Sequence, residues 1–414
     1  MKSWLTRTIL LLSVVSLLND MASELLYPII PLYLAQIGYG VIWIGILEGF
    51  AEAVAGLSKG WFGEWSDKRG ERLPFVRLGY MLSALAKPFL PLVQSVYWAL
   101  LMRISDRMGK GIRTGARDAL LASESSVSNR GRVFGFHRSM DTLGAVLGPL
   151  MAMLWLISNP GENYAEIFWL ALIPGGLSLI LLFLIREKKE HPADKSTRPS
   201  GIFVSFGYWK KATPEYRQLT AVLTAFMLFN SSDMFLLLIL KQSFPDGITI
   251  INGSSNYHFS EDIFVVMMYI LFNVVYTLAS YPAGVLSDKF GSRNMMITGI
   301  FFFSVTYGLV AYSSSIPQAG LSLYIAAFMI YGLFYAFTEG IAKSWISLIC
   351  AKEDKGVALG LYSGLTSIAL LIASVGAGFL WNFFGSTAVF TLSAIAGTFV
   401  LIYMAFQFKS KPVS

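Results

Sequence analysis

Twelve apolar runs recur along this chain, near residues 8–34, 41–63, 74–94, 96–112, 132–157, 165–185, 218–240, 262–286, 295–313, 321–349, 357–381 and 386–407. About 20 apolar residues in a helix cross the roughly 30 Å of bilayer hydrocarbon. In that medium a backbone must satisfy its own hydrogen bonds, so each run predicts a membrane-spanning helix. Composition agrees: 55% of the 414 residues are hydrophobic and only 14% charged, against about 25% charged in a soluble domain. The first run follows Lys2 and Arg7 like a signal peptide, but it continues past Asp20 and Glu24 without a small-residue cleavage site and predicts an uncleaved first helix. The single cysteine, Cys350, excludes an internal disulfide and paired-thiolate metal sites.

The formal charge of +7 is explained by basic loops on one side of a membrane, so no nucleic-acid partner is expected. Lys68, Arg69 and Arg72, then Arg130 and Arg132, Lys289 and Arg293, Lys352 and Lys355, and finally Lys409 and Lys411 fall in alternate loops. The intervening segments 35–40, 158–164 and 314–320 contain no Lys or Arg. This asymmetry predicts an integral protein of the plasma (inner) membrane with both termini cytoplasmic. Residues 186–217 form the one long polar stretch, which predicts a six-helix half at 1–185, a cytoplasmic linker at 186–217 and a second six-helix half at 218–414. The apolar, aromatic portion Gly201–Trp209 either lies along the membrane surface or is plain linker.

An internal repeat ties the halves together. After the second run the chain reads Gly63-Glu64-Trp65-Ser66-Asp67-Lys68-Arg69-Gly70-Glu71-Arg72, and after the eighth Gly284-Val285-Leu286-Ser287-Asp288-Lys289-Phe290-Gly291-Ser292-Arg293. The spacing G-x-x-x-D-K-x-G-x-R thus occurs at the same place in each half, as an internal duplication would produce. Gly63 and Gly284 are expected to permit close helix approach, and Gly70 and Gly291 a tight turn. The repeat resembles the signature loop of the major facilitator superfamily. That resemblance implies an all-α polytopic membrane protein, twelve transmembrane helices in two pseudo-symmetric six-helix halves. It also implies a conformational latch formed by Asp67, Lys68, Arg72, Asp288, Lys289 and Arg293. Two further patterns are partial. Arg103 and Gly109 match the family's R-x-x-Q-G-x-G, with Asp106 and Arg107 replacing its Gln and Gly. Gly144, Gly148 and Pro149 match the G-x-x-x-G-P core that the family associates with antiporters, without the following glycine pair.

Ionisable groups inside a membrane are costly and mark function or pairing. Asp20 and Glu24 lie four residues apart on one helical face beside Asn19 and can relieve their repulsion by sharing a proton. Asn230 and Asp233 occupy the equivalent first helix of the second half. In the fourth run Arg103, Asp106, Arg107 and Lys110 make one charged face, and in the tenth Glu339 and Lys343 make an i,i+4 pair. The resemblance implies that these four polar faces converge on a central cavity for proton and substrate. Glu48, Glu52, Lys59 and Lys87 are open between cavity and packing roles, and His137, Arg138 and Asp141 are expected to pair with Arg107 or Arg113.

The chain has no H-E-x-x-H and no Gly-rich phosphate loop, which argues against an enzyme or a nucleotide-driven pump. The expected function is alternating-access secondary transport of a small organic solute or drug, proton-coupled and directed outward, by a monomer in the lipid bilayer without cofactor or bound metal. A transporter of iron or a metal chelate is the alternative, because Asp20, Glu24, Asn230 and Asp233 are hard oxygen donors. A channel or membrane enzyme is the reading from another class.

Overall fold

A computed structural model describes residues 5–69, 71–125, 130–160, 164–187, 202–252, 255–316, 320–350 and 354–408. Helices run through nearly all of this. The first half contains α1 (Arg7–Leu26), α2 (Ile29–Gln36), α3 (Val41–Arg69), α4 (Leu73–Phe89), α5 (Val96–Ser123), α6 (Arg130–Ser158), α7 (Tyr164–Leu170) and α8 (Leu172–Phe183). After α9 (Ile202–Lys211) come α10 (Pro214–Met227), α11 (Met234–Ser243), α12 (Glu261–Phe290), α13 (Ser292–Ser315), α14 (Leu321–Ile349), α15 (Lys355–Phe384) and α16 (Ser386–Gln407). With α1–α2, α7–α8 and α10–α11 each counted as one interrupted rod, these make twelve crossings. Among the described residues nine rods are long and apolar enough to span a bilayer. The others, α4, α5 and the broken α10–α11, are short, interrupted or rich in ionisable residues.

Local sequence accounts for the starts and breaks. The Thr6 hydroxyl accepts from Ile9 N at the start of α1, and Thr213 caps α10 through Tyr216 N, with Pro214 in its first turn. Pro28 lacks an N–H and separates α1 from α2. The second interruption contains no proline. In Asn230-Ser231-Ser232-Asp233 short polar side chains compete for the backbone: Ser232 Oγ accepts from Met234 N, and Ser232 N donates to Ser374 Oγ on α15. Gly291, at φ +83°, makes the turn between α12 and α13 that the repeat requires.

The chain divides into two compact units: residues 1–39 with 50–205, and residues 40–49 with 206–414. The pairings inside the first recur inside the second. α1 packs on α6 as α10 packs on α15, α4 on α5 as α13 on α14, and α4 on α8 as α13 on α16. Glycines set the closest approaches in the first unit. A Cβ on Gly144 would stand 2.5 Å from the Leu17 carbonyl and one on Gly148 2.5 Å from that of Met21, so both glycines of the fifth-crossing motif seat α6 on α1 beside Asp20 and Glu24. Gly79 and Gly109 do the same between α4 and α5, where added Cβ atoms would meet the opposing glycine carbonyls at 2.6 and 2.5 Å.

Two expectations are corrected, at Gly284 and at the end of the fourth crossing. Gly284 has nothing within 4 Å of an added Cβ, so it mediates no close approach. The fourth crossing continues past 112 to Ser123. The loop at 241–261 contains an antiparallel hairpin, Ile248–Asn252 with Ser255–Phe259, and Lys241 pairs with Asp262 at 2.8 Å across its base. Residues 202–211 are helical, and α10 begins at Pro214, inside the stretch expected to be linker. Gly70 lies outside the described residues, as do the side chains of Asp67, Lys68 and Asp288 and the surroundings of Gly63.

Gly148→Ala is expected to cost about 1–3 kcal/mol of stability by overpacking α1, whereas Gly284→Ala should stay within about 0.5 kcal/mol of the parent. Thermal unfolding of both purified variants checks the contrast.

Candidate functional site

In the first unit the buried face of α5 presents Arg103, Asp106, Arg107 and Arg113, each at most 5% exposed, while Lys110 is exposed. These charges are divided among different neighbours and do not form the single open face that the spacing suggests. Because Gly79 and Gly109 bring α4 close, Ser83 and Lys87 reach Asp106. The Ser83 hydroxyl donates to it, Lys87 Nζ lies 3.0 Å from Oδ1, and Arg103 Nη1 donates to Oδ2 at 3.3 Å. Lys87 also donates to the Ser83 carbonyl at 3.0 Å. Asp106 is thereby neutralised by buried donors, the arrangement that makes an internal carboxylate tolerable. A small cavity borders this cluster, lined by Ser23, Leu26, Lys87, Arg103, Asp106 and Phe168. Arg103 lies over the ring of Tyr27, 5.8 Å from its centroid. Arg107 pairs with Glu52 on α3 at 3.2 Å, which gives Glu52 a partner that sequence alone left open.

Asp20 is placed differently. Its ion pair is with Arg113, at 3.9 Å. Arg113 stands 4.6 Å from the centroid of Tyr80, with its Nε and Nη1 lacking a hydrogen-bond partner. Asn19 is fully buried, and neither atom of its amide has a partner. One turn away Arg117 donates to Ser16 Oγ at 3.0 Å and lies 3.9 Å from Asp141, which His137 also approaches at 3.6 Å. The expected pairing of this group with Arg107 or Arg113 is thus replaced by one through Arg117, which lies beyond the expected end of the fourth helix. Arg72 extends to the Ala119 carbonyl at 3.2 Å, and Glu187 caps the start of α4 by accepting from Arg72 N and Leu73 N.

The second unit is aromatic where the first is basic. Asp233 ends the interruption between α10 and α11, and the hydroxyls of Tyr331 and Tyr335 donate to its Oδ1 at 2.6 and 2.9 Å. Glu339 accepts from Tyr276 at 2.6 Å and pairs with Lys343 at 3.5 Å, as the i,i+4 spacing suggests. Tyr276 and Tyr335 meet edge to face with centroids 5.8 Å apart, so rings connect the two carboxylates. Sequence reasoning missed these tyrosines, although Tyr331, Tyr335, Glu339 and Lys343 recur every fourth residue along one helical face. Arg293 donates to the Ala405 carbonyl at 2.6 Å, and Lys289 lies 5.4 Å from the centroid of Phe290.

The sequence profile of the Major Facilitator Superfamily matches residues 12–254 and 247–414. The chain is a member of that superfamily. An uncharacterised MFS-type transporter of Methanocaldococcus jannaschii is 33% identical over 91% of this chain and 89% of its own length. The multi-drug resistance efflux pump PmrA of Streptococcus pneumoniae is 22% identical over 95% and 94% respectively. Among solved structures, the nucleoside transporter NupG superposes with a TM-score of 0.76 at 14% identity, covering 98% of this chain and 100% of that one. The protein is therefore an integral membrane transporter of the superfamily, whose members bind small-molecule substrates.

In this transporter the cluster around Asp106 is expected to couple energetically. Asp106→Leu leaves Lys87 and Arg103 without their buried counter-charge, at about 3–5 kcal/mol, while Lys87→Met leaves Asp106 with Arg103 and should cost less. The double variant should lose at least about 1 kcal/mol less than the sum of the two. Thermal unfolding of the four proteins in detergent gives that coupling.

Proposed function

We propose that this transporter exports small organic solutes of the multidrug type by alternating access, in exchange for protons, as a monomer in the plasma (inner) membrane with both termini cytoplasmic. The observation that carries the proton assignment is the contrast between two intramembrane carboxylates. Asp106 is enclosed by three donors, which suits a permanent structural charge. Asp20 meets Arg113 only at 3.9 Å, while two donors of that guanidinium lack partners. A loose ion pair can part and let its carboxylate take up a proton when the conformation changes. Glu24, one turn along α1, is the proposed neighbour that shares the proton, and Arg113 is the proposed cation that displaces it. Gly144 and Gly148 fit this reading, because their seat for α6 lies on the backbone that carries both carboxylates. The export direction is supported by the resemblance to the streptococcal efflux pump and by the antiporter-type spacing of Gly144, Gly148 and Pro149. The two D-K-x-G-x-R loops, with Asp67 and Asp288, are proposed as latches that hold one conformational state.

Accumulation of fluorescent organic cations and neutral drugs in inverted vesicles, or their flux in proteoliposomes, with an imposed pH gradient, tests the reading directly. Saturable, gradient-driven flux without ATP is expected; its absence across a broad substrate panel would overturn it. In the same preparation Asp20→Asn should lose gradient-driven flux while keeping downhill exchange. Glu24→Gln should weaken the dependence on pH. Survival of full gradient-driven flux in both variants would move the proton site elsewhere. Asp67→Asn should reduce transport at normal protein level and membrane insertion, and full activity there would remove the latch.

A further inference from the structure

The interruption of the seventh crossing gathers buried oxygen atoms whose hydrogen bonding the protein leaves incomplete. Asn230, Ser231 and Tyr307 are 6%, 3% and 0% exposed; Asn230 Oδ1 has no partner, and the Ser231 and Tyr307 hydroxyls face one another and Tyr331 without a well-formed hydrogen bond. Buried polar groups are costly to leave unsatisfied. Clustering of several in one place is evidence for a guest that satisfies them. Asn230 and Ser231 belong to the same non-helical stretch as Asp233. Tyr307, on α13, lies with its ring centroid 6.2 Å from that of Tyr331, whose hydroxyl bonds Asp233, and Ser231 and Tyr331 are the side chains that approach the Tyr307 hydroxyl. The C-terminal end of α10, which carries the negative end of its helix dipole, finishes at Met227 just before this group.

We propose that this interruption binds a dehydrated monovalent cation, sodium in the first instance, through Asn230 Oδ1, the Ser231 and Tyr307 hydroxyls and the Asp233 carboxylate. The donor chemistry selects the charge. Amide, hydroxyl and carboxylate oxygens are hard ligands, but one carboxylate among neutral oxygens supplies a single negative charge, whereas calcium sites draw on several carboxylates and magnesium retains its waters. Among the described residues no three of His, Cys, Asp or Glu come together as a metal site, so the chelation a transition metal demands is not offered. Discontinuous crossings are where membrane transporters place such ions, because the unwound backbone and the half-helix ends supply dipoles there. Asp233 is partly exposed, which gives the ion an entry. The first half supplies its own contrast: beside the equivalent Asn19 and Asp20 stands a resident cation, Arg113.

Equilibrium binding of radioactive sodium to the purified full-length chain tests the site without any transport. Its failure would therefore leave the exporter reading untouched, and a failure of export would leave the site untouched. Saturable binding is expected, displaced by sodium chloride and not by choline chloride at equal ionic strength, with a matching rise in thermal midpoint. Asp233→Asn should abolish binding. Ser231→Ala and Tyr307→Phe should each weaken it roughly ten- to hundredfold. Tyr307→Phe keeps the ring and its packing, so it remains decisive where Asp233→Asn fails to fold. No saturable sodium binding, equal displacement by choline, or unchanged affinity in both Ser231→Ala and Tyr307→Phe would overturn the proposal.

Discussion

Hydrocarbon offers a polar group nothing to bond, and that single constraint organises this protein. Each charge placed within a crossing must find its partner on another helix, and helices must come close enough for that to happen. The pairing of Gly79 with Gly109 is therefore the condition for the Asp106 cluster, because Lys87 and Ser83 reach the carboxylate only when the backbones of α4 and α5 nearly touch. The seat of Gly144 and Gly148 on α1 works alongside it: the crossing that carries Asp20 and Glu24 is held against α6 by backbone contact. Packing by small residues and pairing by charges are two parts of one solution.

How far this was legible in the amino-acid sequence differs by level. Hydropathy marks most of the twelve crossings, since a membrane span needs an apolar length that little else produces, while α4, α5 and α10–α11 are diluted by ionisable residues or broken. Duplication was visible in the spacing from Gly63 to Arg72 and from Gly284 to Arg293, and the turn at Gly291 follows from it. Partners were not legible. Asp20 and Arg113 are 93 positions apart, and which arginine of a helix studded with them faces α1 depends on the crossing geometry. Hydropathy also ended the fourth helix too early, because Arg113 and Arg117 lower the average although both lie within the helix and point into the unit. Gly284 shows the opposite error. A motif position was taken to mean close packing, yet its surroundings are open.

The two halves repeat their packing and diverge in their chemistry. Around Asn19 and Asp20 the unsatisfied atoms include the donors of Arg113 and of the Asn19 amide; around Asn230 and Asp233 they are the oxygens of Asn230, Ser231 and Tyr307. A duplicated scaffold can hold an amide and a carboxylate at equivalent places and still present a donor-rich pocket in one copy and an oxygen-rich one in the other. The change comes from which residues the neighbouring helices contribute: arginines from α5 in the first copy, tyrosines from α13 and α14 in the second.

This divergence bears on how a transporter couples two species. If both halves carried the same site, one ion or substrate would compete with itself for both. With opposite local polarity, the proton group proposed beside a fixed guanidinium and the cation site proposed at the interruption would answer to different species, and occupancy of one need not preclude the other. Coupling then requires only that each occupant interact differently with the two conformations, which is what lets a bound ligand shift a conformational equilibrium. The loose contact at Asp20 and the interrupted helix at Asp233 are the places where such differential interaction costs least. Neither carboxylate is enclosed by three donors as Asp106 is, so a small change at α5 or at the interruption changes how well each is satisfied.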